Sequence, residues 1–137
     1  MIMEKKELIS FWIESSYRDF RAMESLFEKE HYTWALFVGH LVIEKLLKAY
    51  YVENMDIHPP LIHNLLRIAE KSKLELSEEQ KDLLVTVTTF NIQARYDDVK
   101  REFYHKCSKE FTEVWIDKIK GFRKWIKSQH PTLSQNI

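Results

Sequence analysis

The most apolar segment of the chain occupies residues 32–54, which read YTWALFVGHLVIEKLLKAYYVEN. At about 100° per residue, a helix over this segment has two neighbouring apolar faces. These faces comprise Leu36, Ile43, Leu47 and Tyr50 on one side and Ala35, Val42, Leu46 and Ala49 on the other. Only Glu44, Lys45 and Lys48 mark a polar strip. A helix that is apolar nearly all round is the central element of a bundle, or lies at an oligomer interface, or both.

The composition of the whole chain also indicates long helices. Its 137 residues include only two glycines and three prolines, too few for the many tight turns of a β-sandwich or barrel. With 45% hydrophobic residues, a chain of this length can bury one core without a disulfide or a metal. The sequence therefore predicts one all-α domain over residues 1–137, with a core at about 4–127 and a tail at 128–137. We expect an antiparallel up-and-down bundle of four long helices plus one short helix.

Turn-forming and capping residues set the limits of the other helices. The expected elements are helix one at about Glu4 to Lys29, a short helix three at about Leu61 to Ser72, helix four from Glu78, and helix five from a cap at Ser108. Ser77 and Gln80 have the spacing of a capping box before helix four. Pro59-Pro60 forces an extended break before helix three. Asp97 and Asp98 are typical of a turn between helices four and five.

Asp19 interrupts the apolar stripe of helix one. A carboxylate there lies either at the wet edge of the stripe or beside a cation, because an unpaired buried charge costs several kcal/mol. We expect an ion pair, with Arg95 favoured over Lys45 as the partner.

The charge and cysteine content restrict the function classes. Lysine plus arginine equals aspartate plus glutamate at 21 each, but residues 100–127 hold nine basic and four acidic side chains. This predicts a local basic surface rather than a strong overall attraction to nucleic acid. The lone Cys107 excludes an intramolecular disulfide and is typical of a cytoplasmic protein. We expect neither a signal segment nor a membrane span.

Motifs for cofactors are missing from the sequence. The two glycines, Gly39 and Gly121, both fall inside predicted helices, so no glycine-rich phosphate loop is expected. Two pairs, Glu28 with His31 and Glu102 with His105, have the Glu-x-x-His spacing of di-iron bundles, but both fall near predicted helix ends. We therefore expect no metal and no other cofactor.

Several short motifs together resemble the HEPN family (higher eukaryotes and prokaryotes nucleotide-binding). They are His40-Leu-Val-Ile-Glu44-Lys45-Leu-Leu-Lys48-Ala49, then Pro59-Pro60 with His63-Asn-Leu-Leu, then Ala94-Arg95-Tyr96-Asp97. Trp12, Asp19 and Ala22 in helix one agree with the same pattern. The resemblance spans about residues 8–126. It implies an antiparallel helical bundle, usually a homodimer, with its functional groups in a cleft where two protomers meet.

The resemblance also implies a function. Many HEPN proteins are metal-independent RNA-cleaving enzymes, often acting as toxins, and others are encoded beside a small nucleotidyltransferase partner. The catalytic signature of the family is an arginine followed by a histidine a few residues later. In this sequence nine residues separate Arg95 from His105, and three separate Arg101 from His105. The usual spacing of the family lies between these two.

The predicted function is binding of RNA or a nucleotide by a homodimeric helical domain, with a nucleotidyltransferase partner in a toxin–antitoxin-like pair. One alternative is an active metal-independent endoribonuclease that uses His105 with Arg95 or Arg101. The other is a structural interaction bundle, in which His105 is an exposed histidine and Arg95 holds two helices together. The predicted contacts to nucleic acid are the basic and aromatic side chains of Lys100, Arg101, Lys106, Tyr96 and Tyr104.

Overall fold

The computed structural model describes residues 4–134 of the chain. These residues form six α-helices and one 3₁₀ turn, and none of them lies in a strand. The elements are α1 at Lys5–Glu28, α2 at Tyr32–Asn54, α3 at Leu65–Lys71, α4 at Glu78–Arg95, α5 at Asp97–Lys106, α6 at Lys109–Lys127 and the 3₁₀ turn at Pro131–Leu133. The predicted all-α bundle is confirmed. No helix among these is long and apolar enough to cross a membrane.

Helix α2 lies at the centre of the bundle, in contact with α1, α3, α4 and α6. Both of its apolar faces are covered within the one chain, since Leu36, Ile43 and Leu47 are completely buried, as are Val42 and Ala49. Each fully buried side chain of this size contributes about 1.5–3 kcal/mol, so α2 is a main source of stability. Of the roles predicted for an all-round apolar helix, the structure shows the central element of a bundle.

Side-chain caps fix the starts of α4 and α6. Ser77 Oγ accepts from the Gln80 N–H at 3.1 Å, and the Ser77 N–H donates to Gln80 Oε1 at 2.9 Å. This is the predicted capping box. Ser108 Oγ accepts from the Phe111 N–H at 3.1 Å, so Ser108 caps α6, which is the helix predicted above as helix five. Each cap satisfies a backbone donor that the first turn of a helix leaves unpaired.

The expected start of helix three at about Leu61 is wrong, because α3 begins at Leu65. Asn64 Oδ1 accepts from the Arg67 N–H at 3.1 Å and caps the helix. The carbonyl of His63 lies 2.9 Å from His40 Nε2 on α2. Residues 61–64 are therefore a non-helical connection that is held on α2.

The expected turn at Asp97 and Asp98 is also wrong, because these residues begin α5. Acidic side chains in a first turn and basic ones in a last turn both stabilise a helix through its macrodipole. Helix α5 has this pattern, with His105 and Lys106 in its last turn. Phe103, which is buried, anchors α5 to the bundle.

Asp19 forms an ion pair, but its partner is Lys45 and the favoured assignment to Arg95 is wrong. Asp19 Oδ2 lies 2.6 Å from Lys45 Nζ, with 23% and 21% of the two side chains exposed. Arg95 is bonded to Asn91 on its own helix instead. Because the Asp19–Lys45 pair is partly solvated, it contributes about 1 kcal/mol or less.

Gly39 allows α2 to approach α1 and α6 closely. A Cβ atom at this position would lie 2.7 Å from Ile119 Cδ1 and 3.2 Å from Met23 Sδ. Both neighbours are completely buried, so neither can move into solvent to make room. Gly121, on the exposed side of α6, has nothing within 4 Å of the place a Cβ would take.

We expect Gly39→Ala to lower the free energy of unfolding by about 1–3 kcal/mol, because the added methyl group overpacks a closed core. Gly121→Ala is the matched control, and it should raise the free energy of unfolding by about 0.5–1 kcal/mol through helix propensity. Urea unfolding followed by circular dichroism measures both changes. Equal effects at the two positions would contradict a close approach at Gly39.

Candidate functional site

A cleft of about 480 Å³ lies between α5 and the turn that joins α1 to α2, and we call it the α5 cleft. Two exposed aromatic side chains, Trp34 (41%) and Tyr104 (68%), line it together with Lys100 and Arg101. Lys100 Nζ lies 5.6 Å from the centre of the Trp34 ring. The structure thus brings three predicted contact residues together and adds Trp34, which the sequence analysis missed. The rest of the lining is Glu30, His31, Tyr32, Thr33 and Asp97.

His105 lines a second hollow of about 450 Å³, which shares Tyr104 with the α5 cleft. The rings of Tyr104 and His105 are in contact, with centroids 5.6 Å apart. Arg101 and His105 are one helical turn apart on α5, so their side chains share a face of that helix.

Two further side chains that could react lie at the end of α5, Lys106 and Cys107. Lys106 Nζ lies 5.4 Å from the centre of the Phe111 ring, on the side toward α6. Burial raises the pKa of the Cys107 thiol to about 11, so it stays protonated and is a poor nucleophile at neutral pH. Within residues 4–134, no three His, Cys, Asp or Glu side chains are grouped so that they could hold a metal ion.

Arg95 and Tyr96 lie outside the α5 cleft, at the end of α4. Arg95 Nε donates to the Asn91 carbonyl at 3.0 Å, and Arg95 Nη2 donates to Asn91 Oδ1. The guanidinium carbon lies 5.8 Å from the centre of the Phe37 ring on α2 and 5.6 Å from that of Tyr96. Arg95 therefore faces α2, whereas Arg101 shares a helix face with His105.

A buried polar network that the sequence analysis did not predict joins α4, α2 and the connection before α3. Asn91 Nδ2 lies 3.4 Å from His40 Nδ1, and His40 Nε2 lies 2.9 Å from the carbonyl oxygen of His63. His40 is completely buried and Asn91 is nearly so.

The partners of His40 determine its protonation. A carbonyl oxygen only accepts, so His40 Nε2 carries the proton and donates to His63, while Nδ1 accepts from Asn91. Burial lowers the pKa of His40 from its ordinary value of 6.5, and the opposing effect of Glu44 is smaller. A neutral imidazole is the form that both hydrogen bonds require.

The second part of the network surrounds the carboxylate of Glu44, which is only 5% exposed. His63 Nδ1 donates to Glu44 Oε1 at 2.8 Å, and Lys48 Nζ donates to Oε2 at 3.2 Å. Lys48 Nζ also lies 5.4 Å from the centre of the Trp12 ring on α1. The His63 side chain, in contrast, is 65% exposed, so this part of the network reaches the solvent.

The residues of this network on α2 and in the following connection are the ones that carry the family resemblance. The family model of the HEPN domain matches residues 9–129. This chain belongs to the HEPN domain family. Membership indicates a function related to nucleotides or RNA. No curated protein and no solved structure matches the chain significantly.

One sequence signal for the network of this HEPN domain was available. His40, Glu44 and Lys48 are four residues apart, so a helix places them on one face. Three polar groups on one face of a buried helix must find partners. Those partners come from distant positions, because His63 is 19 residues from Glu44 and Asn91 is 51 residues from His40. Spacing along one helix does not reveal them.

We expect the stability of this HEPN domain to fall in mild acid. Folding lowers the pKa of His40, whereas His40 in the unfolded chain keeps its ordinary value of 6.5. As the pH drops through 6.5, the unfolded chain therefore binds more protons than the folded chain does. The free energy of unfolding should therefore decrease over this range. His40→Gln removes the titrating group, so its decrease between pH values of about 7.5 and 5.5 should be smaller. Urea unfolding at a series of pH values gives both curves, and parallel curves would contradict a neutral His40.

Proposed function

We propose that this HEPN domain binds RNA in the α5 cleft. The observation that carries the proposal is that two exposed aromatic side chains, Trp34 and Tyr104, share one cleft with the cations of Lys100 and Arg101. Aromatic rings stack on unpaired bases, and lysine and arginine bind the phosphates between them. A free nucleotide offers the same two chemical groups, so it serves as the competing ligand in the test.

The charges around the cleft support a single-stranded ligand. Lys100 and Arg101 of α5 supply the positive charge in the cleft, which favours an anionic ligand there. Glu30 and Asp97 line the cleft as well. Their carboxylates repel a second phosphate backbone but can accept from the amino groups of an unpaired base.

Cleavage of the bound RNA is the second candidate function. Arg101 and His105 share a face of α5, which favours this pair over Arg95 with His105. An arginine stabilises the negative charge that develops on a reacting phosphate, and a histidine transfers the proton. Incubation of the protein with mixed RNAs in EDTA tests this activity.

We also propose a homodimer, with a face of α4 as the contact. Val85 and Ile92 lie on one face of this helix and are 52% and 53% exposed. Pairing of two copies through this face would remove these apolar side chains from water.

Light scattering at micromolar concentration should therefore give twice the mass of one chain, which is 16.6 kDa. Val85→Glu with Ile92→Glu should give the single-chain mass, since two carboxylates would be forced together at the contact. Val114→Glu, at a 51% exposed position on α6, is the matched control and should stay dimeric. A wild-type protein with the mass of one chain would contradict the dimer.

A nucleotidyltransferase is the proposed partner in a toxin–antitoxin-like pair. The RNA assays are therefore run with and without the product of any adjacent nucleotidyltransferase gene, and copurification of the two proteins measures their association.

Replacing Lys100 and Arg101 together by Ala should weaken RNA binding by about tenfold or more and flatten its dependence on salt, because fewer counterions are released from the phosphates. Tyr104→Ala should weaken binding without changing the salt dependence, because stacking releases no counterions. Fluorescence anisotropy with a labelled single-stranded RNA measures both quantities.

The matched control is Lys118→Ala, which removes a cation of α6 that lies over the Trp115 ring rather than in the α5 cleft. Its affinity for RNA should equal that of the wild type. Equal losses for this variant and the double variant would indicate attraction by net charge alone. Wild-type protein that binds nucleotide but not RNA would restrict the function to nucleotide binding.

A further inference from the structure

One face of α2 connects the α5 cleft to the buried network. Trp34, Phe37 and Glu44 follow one another along this face at helical spacing. Trp34 lies in the α5 cleft, and Phe37 lies under the guanidinium of Arg95. Glu44 binds His63. The ten residues from Trp34 to Glu44 span about 15 Å at the rise of an α-helix, so His63 lies within reach of a strand that occupies the cleft.

His63 is held by two bonds while its ring remains in solvent. Its Nδ1 donates to Glu44 Oε1 at 2.8 Å, and its carbonyl oxygen accepts from His40 Nε2 at 2.9 Å. Because Nδ1 carries the proton of the neutral ring, Nε2 has the free lone pair. A histidine whose Nδ1 is bonded to a buried carboxylate and whose Nε2 is free has the arrangement of a general base in acyl-transfer enzymes.

We propose that His63 is the proton acceptor for cleavage of the RNA that the α5 cleft binds, with Glu44 as its positioning residue. This inference rests on the proposed RNA binding, and it assigns the base to His63 rather than to His105. Arg95 packs on Phe37, which lies between Trp34 and Glu44 along α2, and its guanidinium can attract the phosphate backbone.

The step balances without any co-reactant other than water. His63 Nε2 takes the proton of a ribose 2′-hydroxyl, and the 2′-oxygen forms a bond to the adjacent phosphorus while the bond from phosphorus to the 5′-oxygen breaks. The departing 5′-oxygen takes a proton from water, and the hydroxide so formed takes the proton from His63. The products are a 2′,3′-cyclic phosphate and a 5′-hydroxyl.

The surroundings of Glu44 keep it suited to this role. Lys48 Nζ, which is itself nearly buried, binds the second carboxylate oxygen and stabilises its charge. The ionised carboxylate then stabilises the imidazolium that forms when His63 accepts a proton. The other titratable group that contacts His63 is His40 on α2, which is buried and neutral, and Arg95 on α4 acts electrostatically on His40.

The decisive variant is His63→Asn, because an asparagine amide can donate to Glu44 as Nδ1 does but cannot accept a proton at neutral pH. A labelled single-stranded RNA is incubated with the full chain in EDTA, and its 2′-deoxy analogue, which lacks the nucleophile, serves as the substrate control. We expect His63→Asn to cleave about 10²–10⁴ times more slowly than the wild type, with unchanged affinity for the deoxy analogue. His58→Asn, at another exposed histidine of the same connection, is the matched control and should cleave like the wild type.

The pH profile distinguishes a base from a structural contact. The wild-type rate should fall on acidification as the base becomes protonated, and this acid limb should be absent from the residual activity of His63→Asn. Glu44→Gln should lower kcat and displace the acid limb while leaving the affinity for the deoxy analogue within about threefold. Thermal melting of each variant shows whether the fold is intact.

The outcomes separate this inference from the proposed function. If the wild type does not bind the RNA, the proposed function fails, and this inference fails with it. If the wild type binds but does not cut, or if folded His63→Asn cuts at the wild-type rate, only this inference is overturned. Loss of cleavage in His105→Ala with full cleavage in His63→Asn would assign the base to His105. Loss in both variants supports His63 and gives His105 a role beside it.

Discussion

The buried carboxylate of Glu44 is the group around which this corner of the bundle is organised. Removing a charge from water costs several kcal/mol unless partners replace its hydration, and the next turn of α2 supplies one hydrogen bond, from Lys48. The second oxygen needs His63, so the connection after α2 must return to it before α3 can begin. The carbonyl of His63 is then placed to accept from His40, which Asn91 fixes from α4. One charge thus ties three elements of the chain together.

Much of the fold could be predicted because its strongest signals are local. The all-round apolar pattern of residues 32–54 predicts a central helix, and α2 has the same limits. The capping residues before α4 and α6 bind the amides of their own first turns, which spacing alone predicts. Helix α5 was missed because aspartates favour turns and helix starts alike. Whether residues 97–106 form a turn or a helix depends on Phe103, which packs on Phe90 in α4. Such a contact between distant residues cannot be predicted from local sequence patterns.

In the candidate site, too, residues on one helix could be predicted together, whereas residues from separate helices could not. Lys100, Arg101 and Tyr104 meet in one cleft because they lie on neighbouring turns of one helix, so a basic and aromatic segment was enough to find them. Trp34 was missed because it lies in the first turn of α2, far from α5 along the sequence. Arg95 was assigned to Asp19 because the sequence does not reveal which side of α2 each cation faces.

The Glu44–Lys48 pair stabilises the bundle less than its central position suggests. A buried ion pair can often be replaced by apolar side chains of similar volume with no loss of stability, because desolvation offsets much of the attraction. Apolar side chains of similar volume could therefore replace the pair without loss of packing. They could not, however, hold an exposed imidazole in one orientation, whereas Glu44 fixes the His63 ring through a 2.8 Å bond. The physical effect specific to this charge is therefore the orientation of a proton-transfer group at the surface.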